Sequence, residues 1–83
     1  MSRTKDENFV IWLYRTALDS GNVEKPFNRY EIGNKAGLQE RGVDAICKLL
    51  IQANFIRKAG QDEIRLTPHG EKLAIRLLSE TAK

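Results

Sequence analysis

Apolar residues near the start of the chain fall on two neighbouring faces of a helix rather than on one. The spacing predicts a first helix over residues 6–20, followed by Gly21 and Asn22, which tolerate left-handed backbone angles. Its apolar positions are Phe9, Val10, Ile11, Trp12, Leu13, Tyr14, Ala17 and Leu18. Because a small domain cannot easily cover both faces, either one face forms a second buried surface, such as a dimer contact, or the core face is broad and leaves Trp12 or Tyr14 partly exposed.

Two shorter helical patterns follow an extended segment around Pro26, where Phe27 is a candidate to anchor a short strand to the core. Asn28, with an acidic residue three positions later, is a variant of the capping box and predicts a helix over residues 29–36. The next helix is predicted over residues 39–53 and ends before Asn54, which suits a left-handed position. Its inward residues at helical spacing are Val43, Ile46, Cys47 and Leu50.

The hydrophobic period then changes from helical to alternating. The segment "FIRKAGQDEIRLT" predicts a β-hairpin over residues 55–66, with its turn in "AGQD". Thr67 and Pro68 form a capping residue and a first helical residue, so a last helix is predicted over residues 68–80. The predicted order is therefore three helices, a hairpin and a closing helix.

The stretch "RYEIGNKAGLQERGVDAI" has the spacing of two helices joined by a tight turn. Gly37 lies at the turn, and Gly33 is small at the point where two steeply crossed helices would otherwise clash. Leu38 is placed to fill the corner, and Val43 is placed to pack back onto the preceding helix. We therefore expect Gln39, Arg41 and Lys48 to point away from the interior.

Three segments carry a resemblance to the winged helix-turn-helix family. "EIGNKAGLQERGVDAI" resembles its helix-turn-helix, "VDAICKLLIQANFIRK" its recognition helix and first wing strand, and "EIRLTPHGEKLA" its second wing strand and closing helix. They span roughly residues 28–78, and Asn54 stands where the family usually has glycine. The resemblance implies an α+β fold that is mostly α, with three helices, a β-hairpin wing and a C-terminal helix in a single domain over residues 1–83.

The resemblance also implies a double-stranded DNA-binding protein, most simply a transcriptional regulator, with its third helix in the major groove and its wing on the backbone. Arg41 would then contact a guanine and Gln39 an adenine, while Asp44 could accept from a cytosine amino group. Gln61 at the wing tip would reach a groove. The residues expected at phosphates are Arg29, Lys35, Lys48, Arg57, Lys58 and Arg65.

Each of these assignments has an alternative. Exposed helix residues and charged hairpin residues can serve solubility alone, and Asp44 can pair with Lys48 four positions later. The acidic residues Glu40 and Asp44 would repel phosphates, which favours a second interpretation: a winged helix that binds another protein and not DNA. In either case, a homodimer or a protein partner would use the first and last helices. The expected surface residues are Val10, Trp12, Tyr14, Ile75 and Leu78.

The composition of the chain narrows the classes of protein to which it can belong. The chain has 83 residues and a formal net charge of +3, from 14 Lys and Arg against 11 Asp and Glu, which is a modest basic excess. Its longest apolar run is far shorter than the ~20 residues that cross a bilayer. A single cysteine fits a reducing compartment, so we expect a cytoplasmic protein of bacterial or archaeal type, associated with the nucleoid if it binds DNA. The lone His69 and the absence of a phosphate-binding glycine motif predict no enzyme activity, no metal and no cofactor.

Overall fold

Four helices surround a small antiparallel sheet. The computed structural model describes residues 3–81. The elements in chain order are α1 (Lys5–Asp19), β1 (Phe27–Asn28), α2 (Arg29–Lys35), α3 (Glu40–Gln52), β2 (Ile56–Lys58), β3 (Glu63–Leu66) and α4 (Pro68–Thr81). The sheet order is β1-β3-β2, with β3 antiparallel to both neighbours. The predicted α+β class, mostly α with a β-hairpin between the third and fourth helices, is confirmed, and the strand anchored by Phe27 is present as β1.

The core lies where α1 meets the other elements. α1 packs against α2, α3, β3 and α4, so its neighbours cover more than one of its faces. The largest fully buried side chains are Phe9, Leu13, Ile32, Ile56, Ile64, Leu66, Val10, Val43 and Cys47. We expected Val10 on a partner surface. Its side chain is fully buried, so it is a core residue and that prediction is wrong. Trp12 and Tyr14 are partly buried, as the broad-face alternative requires.

Local signals at the helix ends explain where the helices start. Asn28 Oδ1 accepts hydrogen bonds from the backbone N–H groups of Tyr30, at 2.8 Å, and Glu31, at 3.3 Å, and so caps α2. The helix α1 begins at Lys5, one residue before its predicted start, and its cap was not predicted: Thr4 forms a reciprocal capping box with Glu7. Both caps satisfy backbone donors that a helix start otherwise leaves unpaired.

The turn between α2 and α3 depends on two glycines. Gly37 adopts φ +76°, a left-handed angle that an L-residue rarely takes. A Cβ on Gly33 would overlap Cγ2 of Val43, so α2 and α3 cross as closely as the backbone permits. The N–H of Leu38 donates to the carbonyl of Gly33 at 2.8 Å, and the Leu38 side chain packs against the core. The close crossing predicted at Gly33 and the break at Gly37 are confirmed.

A second close approach joins the hairpin to α4. Asn54 takes the predicted left-handed angle, with φ 65°, and redirects the chain from α3 into β2. Thr67 Oγ1 donates to the Asn54 carbonyl at 2.6 Å and accepts from the N–H of Gly70 at 3.0 Å, so it caps α4 and fixes its position. A Cβ on Gly70 would overlap the carbonyl oxygen of Phe55. The base of the hairpin and the first turn of α4 are therefore held in tight contact.

Candidate nucleic-acid interface

The outward face of α3 carries a continuous set of exposed polar residues. Gln39 is the N-cap residue, and its side chain makes no capping hydrogen bond. The exposed residues on this face are Gln39, Glu40, Arg41, Asp44, Ala45 and Lys48. Val43, Ile46, Cys47 and Leu50 occupy the buried face of the same helix. Burial of that face fixes the rotation of α3, and the residues of the outward face are open to solvent.

Asp44 is engaged by α2 rather than by its own helix. Tyr30 Oη donates to Asp44 Oδ1 at 2.8 Å, and Nη1 of Arg29 lies 4.0 Å from the same oxygen. The hydrogen bond to Asp44, aided by burial and by the negative charges of Asp44 and Asp62, raises the pKa of Tyr30 above its usual value of 10.0. The alternative pairing of Asp44 with Lys48 is replaced by these two partners. Asp44 is thus held against α2 while its side chain stays 56% exposed.

Arg29 links α2, α3 and the hairpin turn. Its backbone N–H donates to the carbonyl of Asp62 at 2.9 Å, and its Nη2 lies 3.5 Å from the carbonyl of Gln61. Only 13% of the side chain is exposed, and Nε is buried without a hydrogen-bond partner within residues 3–81. A guanidinium so enclosed has little surface to offer a phosphate. Its geometry suits holding the hairpin turn against α2 and α3.

The outer face of the hairpin brings two arginines together. Arg57 and Arg65 are direct cross-strand partners in the β2–β3 ladder. Arg57 is exposed, and Arg65 lies 3.9 Å from Glu24 in an ion pair that is open to solvent on both sides. Like charges placed opposite each other destabilise a sheet, and Glu24 offsets only part of that repulsion because its ion pair is with Arg65 alone. Lys58 and Gln61 are also exposed, so the hairpin carries three cationic side chains, and the exposed acids Asp62 and Glu63 follow its turn.

Lys35 points to a different part of the molecule. Its Nζ donates to Thr16 Oγ1 of α1 at 3.3 Å. It borders a hollow of about 360 Å³ lined by Trp12, Arg15, Thr16, Leu18, Asp19 and Lys35. The structure therefore separates Lys35 from the α3 face and places it with Arg15, a basic residue that the sequence patterns did not single out. Tyr30 was also missed, because an aromatic residue in the first turn of a helix has no spacing signal that predicts a bond to a carboxylate.

The outer surface of α1 and α4 is partly apolar. Leu18 is 49% exposed and Ile75 is 47% exposed. Trp12, Tyr14 and Leu78 are half-buried, and the two helices pack against each other. Once Val10 is excluded, the residues expected on a partner surface are Trp12, Tyr14, Ile75 and Leu78, and all of them lie on α1 or α4.

Among residues 3–81, no cluster of His, Cys, Asp and Glu side chains is arranged to hold a metal ion. Over the same residues, no helix has the length and apolar character needed to cross a membrane.

Burial raises the pKa of the Cys47 thiol to about 11, so this side chain is protonated at neutral pH.

Comparison with known proteins gives structural neighbours only. No protein-family model matches the sequence, and no curated protein matches it. The crystal structure of AF1382 from Archaeoglobus fulgidus superposes with a TM-score of 0.81 at 21% identity, over 99% of this chain and 89% of that one. NadR in complex with 4-hydroxyphenylacetate gives a TM-score of 0.68 at 20% identity, over 93% of this chain and 54% of that one.

A third structural neighbour is a MarR family regulator. NMB1585, a MarR family regulator from Neisseria meningitidis, gives a TM-score of 0.63 at 25% identity, over 90% of this chain and 54% of that one. The chain thus spans about half the length of NadR and of NMB1585. The helix-turn-helix, the hairpin and the closing helix, taken with these likenesses, give this chain the winged helix-turn-helix fold that it shares with a MarR family regulator.

Proposed function

We propose that this protein is a double-stranded DNA-binding transcriptional regulator that docks α3 in the major groove and rests the hairpin on the backbone. The observation that carries the proposal is the cross-strand pair of Arg57 and Arg65, which places two like charges together on the solvent face of the hairpin. A nearby phosphate would offset their mutual repulsion. The free polar face at the start of α3 is the second support, because helix-turn-helix proteins read bases with that part of the helix.

The residues divide by role. Arg41 and Gln39 read base edges, as their exposed position at the start of α3 allows. Lys48, Arg57, Lys58 and Arg65 contact phosphates, and Gln61 reaches a groove from the hairpin turn. Lys35 bonds to Thr16 of α1 and takes no part in this interface. Arg29 and Asp44 hold α2, α3 and the turn in register, and this role replaces direct contact with phosphate or base. No catalytic step, metal or cofactor is part of the proposal.

The regulator acts as a homodimer of single-domain subunits in a cytoplasm of bacterial or archaeal type, bound to the nucleoid. The dimer forms through the apolar outer surface of α1 and α4, with Trp12, Tyr14, Ile75 and Leu78 in the contact. Two-fold pairing would present two α3 helices about one turn of DNA apart. Sedimentation at high micromolar concentration tests this assembly, and a monomer there contradicts it.

An NMR titration with random-sequence duplex DNA at low salt tests the proposal. The amides expected to shift are those of residues 39–48 and of the hairpin, and the affinity should fall steeply as salt is raised, because phosphate contacts release counterions. Shifts confined to α1 and α4, or an affinity that salt does not change, would contradict DNA binding.

A second candidate is a protein-interaction module without DNA binding. Leu49 on α3 is 59% exposed, and Glu40 and Asp44 place two carboxylates on the same helix. These features suit a protein partner better than they suit a phosphate backbone. In the same titration, this candidate requires that duplex DNA leave the amides of α3 unmoved.

A further inference from the structure

A groove lies between the base of the hairpin and the first turns of α4. It has a volume of about 420 Å³, is open along one side, and is lined by Phe55, His69, Lys72, Leu73 and Arg76. Because Phe55 directly precedes β2 and Pro68 directly follows the segment after β3, the groove lies at the end of the hairpin opposite the turn at residues 59–62. Neither the α3 face nor the hairpin tip uses it.

The walls of the groove are fixed before anything binds. The Phe55 and His69 rings stack with centroids 4.7 Å apart and planes within 3° of parallel. The Phe55 carbonyl accepts from the N–H of Thr67 at 3.2 Å, and the missing Cβ of Gly70 lets α4 press directly against that carbonyl. A site held this way needs little reorganisation on binding, which lowers the entropic cost of binding.

The rim of the groove is positive. His69, Lys72 and Arg76 are spaced three and four residues apart, so they follow one side of α4 over roughly 10 Å. All three side chains are exposed, and no acidic residue lines the groove. Within residues 3–81, neither Lys72 nor Arg76 forms an ion pair. The floor, in contrast, is formed by the half-buried Phe55 and Leu73. The groove therefore offers two positive groups, those of Lys72 and Arg76, beside an apolar floor.

We propose that this groove binds an acidic segment of another protein, in which one aromatic or aliphatic side chain lies between carboxylates. Carboxylates along such a segment meet Lys72 and Arg76, and the apolar side chain rests on Phe55 and Leu73. A small ligand would be left largely exposed in a groove open along one side, whereas small-molecule sites bury most of their ligand. A DNA backbone supplies anions but nothing for the apolar floor. The site would recruit a protein partner while α3 and the hairpin tip stay free, which goes beyond DNA docking.

The test uses the whole chain and a short synthetic peptide, Glu-Asp-Phe-Asp-Glu with blocked ends, followed by NMR. The expected result is a set of amide shifts at Phe55 and residues 69–76. Lys72→Glu should weaken binding by about tenfold or more, because it replaces a charge-assisted contact with repulsion. Lys5→Glu is the matched control, since it makes the same charge change at an exposed position on α1 and should leave peptide affinity nearly unchanged.

Two further arms separate the occupant from alternatives. A peptide with Phe replaced by Ala should bind markedly more weakly if the apolar floor is used. The proposal is overturned if the peptide moves no groove amides, if the Ala peptide binds equally well, or if Lys5→Glu and Lys72→Glu weaken binding equally. Shifts of the groove amides by duplex DNA would also overturn it, because they would make the groove a backbone contact.

Discussion

The hydroxyl of Tyr30, in the first turn of α2, donates a 2.8 Å hydrogen bond to the carboxylate of Asp44 on the outer face of α3. This bond joins the two helices on the side facing away from the core, whereas the contact of Gly33 with Val43 joins them on the buried side. The angle between α2 and α3 is therefore held at two separate points. If α3 reads DNA, the first of these points also determines how its N-terminal residues are presented.

Removing the Asp44 carboxylate is expected to change how Tyr30 titrates. In the native protein the pKa of Tyr30 lies above 10.0, chiefly because of its bond to Asp44. In Asp44→Ala the pKa should fall back towards 10.0, as followed by absorbance or NMR against pH. Because the pKa of Tyr30 is higher in the folded protein than in the unfolded chain, its bond to Asp44 stabilises the fold fully below pH 10. That stabilisation is lost as the pH rises through the pKa of Tyr30 in the folded protein. Tyr30→Phe should lower the thermal midpoint less in the Asp44→Ala background than in wild type, and equal effects in both would disprove the coupling.

Because Gly33 packs closely against Val43, substitutions at these two residues should have non-additive effects on the free energy of unfolding. Gly33→Ala is expected to lower the free energy of unfolding by about 1–3 kcal/mol, because its new methyl group overlaps Cγ2 of Val43. In a Val43→Ala background the same change should cost much less, since the nearest remaining atom, the Val43 Cβ, lies 3.4 Å away. Denaturant unfolding of the four proteins measures this coupling.

Gly42 provides the control for that experiment. A Cβ there meets no atom within 4 Å, and the residue lies inside α3. Gly42→Ala should therefore raise the free energy of unfolding by about 0.5–1 kcal/mol through helix propensity alone. If Gly33→Ala were equally stabilising, the two helices would be farther apart than the structure places them.

Sequence patterns predicted the features that depend on neighbouring residues. Gly21 and Asn54 were expected at left-handed angles because few other residues tolerate them, and Thr67 was recognised as a cap by its position before Pro68. The burial of Val10 was not predicted, because it depends on α2, α3, β3 and α4 all packing around α1. A helical pattern reveals two apolar faces but not how many partners will cover them.

The contacts of the candidate site depend even more on distant residues. Asp44 was expected at a cytosine, with pairing to Lys48 on its own helix as the alternative, since residues four apart are neighbours on any helix. Its partners Tyr30 and Arg29 come from α2, and reaching them requires the crossing angle that Gly33 sets. The enclosure of Arg29 depends likewise on where the hairpin turn comes to rest. Residue types and spacing identified the exposed face of α3, but not which of its charges are already paired.

The buried thiol of Cys47 should make stability depend on alkaline pH. Burial raises its pKa from 9.0 to about 11, so the native protein retains a proton that the unfolded chain loses. The stabilisation is fully present below pH 9 and falls by about 1.4 kcal/mol per pH unit between the two values. Comparing denaturant unfolding of wild type and Cys47→Ala across this range isolates the effect, because other alkaline groups are common to both. Native protein at pH 8 should also react slowly with a thiol reagent, and rapid labelling would contradict burial.

Alanine substitutions at Arg41 and at Lys58 should distinguish base reading from phosphate contact, because they should change DNA affinity in different ways. Both side chains are exposed, but Arg41 lies at the start of α3 and Lys58 lies at the end of β2 beside the hairpin turn. If DNA binding holds, Arg41→Ala should lower affinity for a selected sequence by about 1–3 kcal/mol and bring it closer to the affinity for random DNA. Lys58→Ala should weaken both sequences equally and reduce the slope of affinity against salt by about one ion. Fluorescence anisotropy over a salt series measures both quantities, with Lys72→Ala as a control because Lys72 is exposed on α4, away from the α3 face and the hairpin turn. A uniform loss in all three variants would point to net charge alone, because only a docked geometry can make an arginine on α3 matter for sequence and a lysine on the hairpin matter for salt.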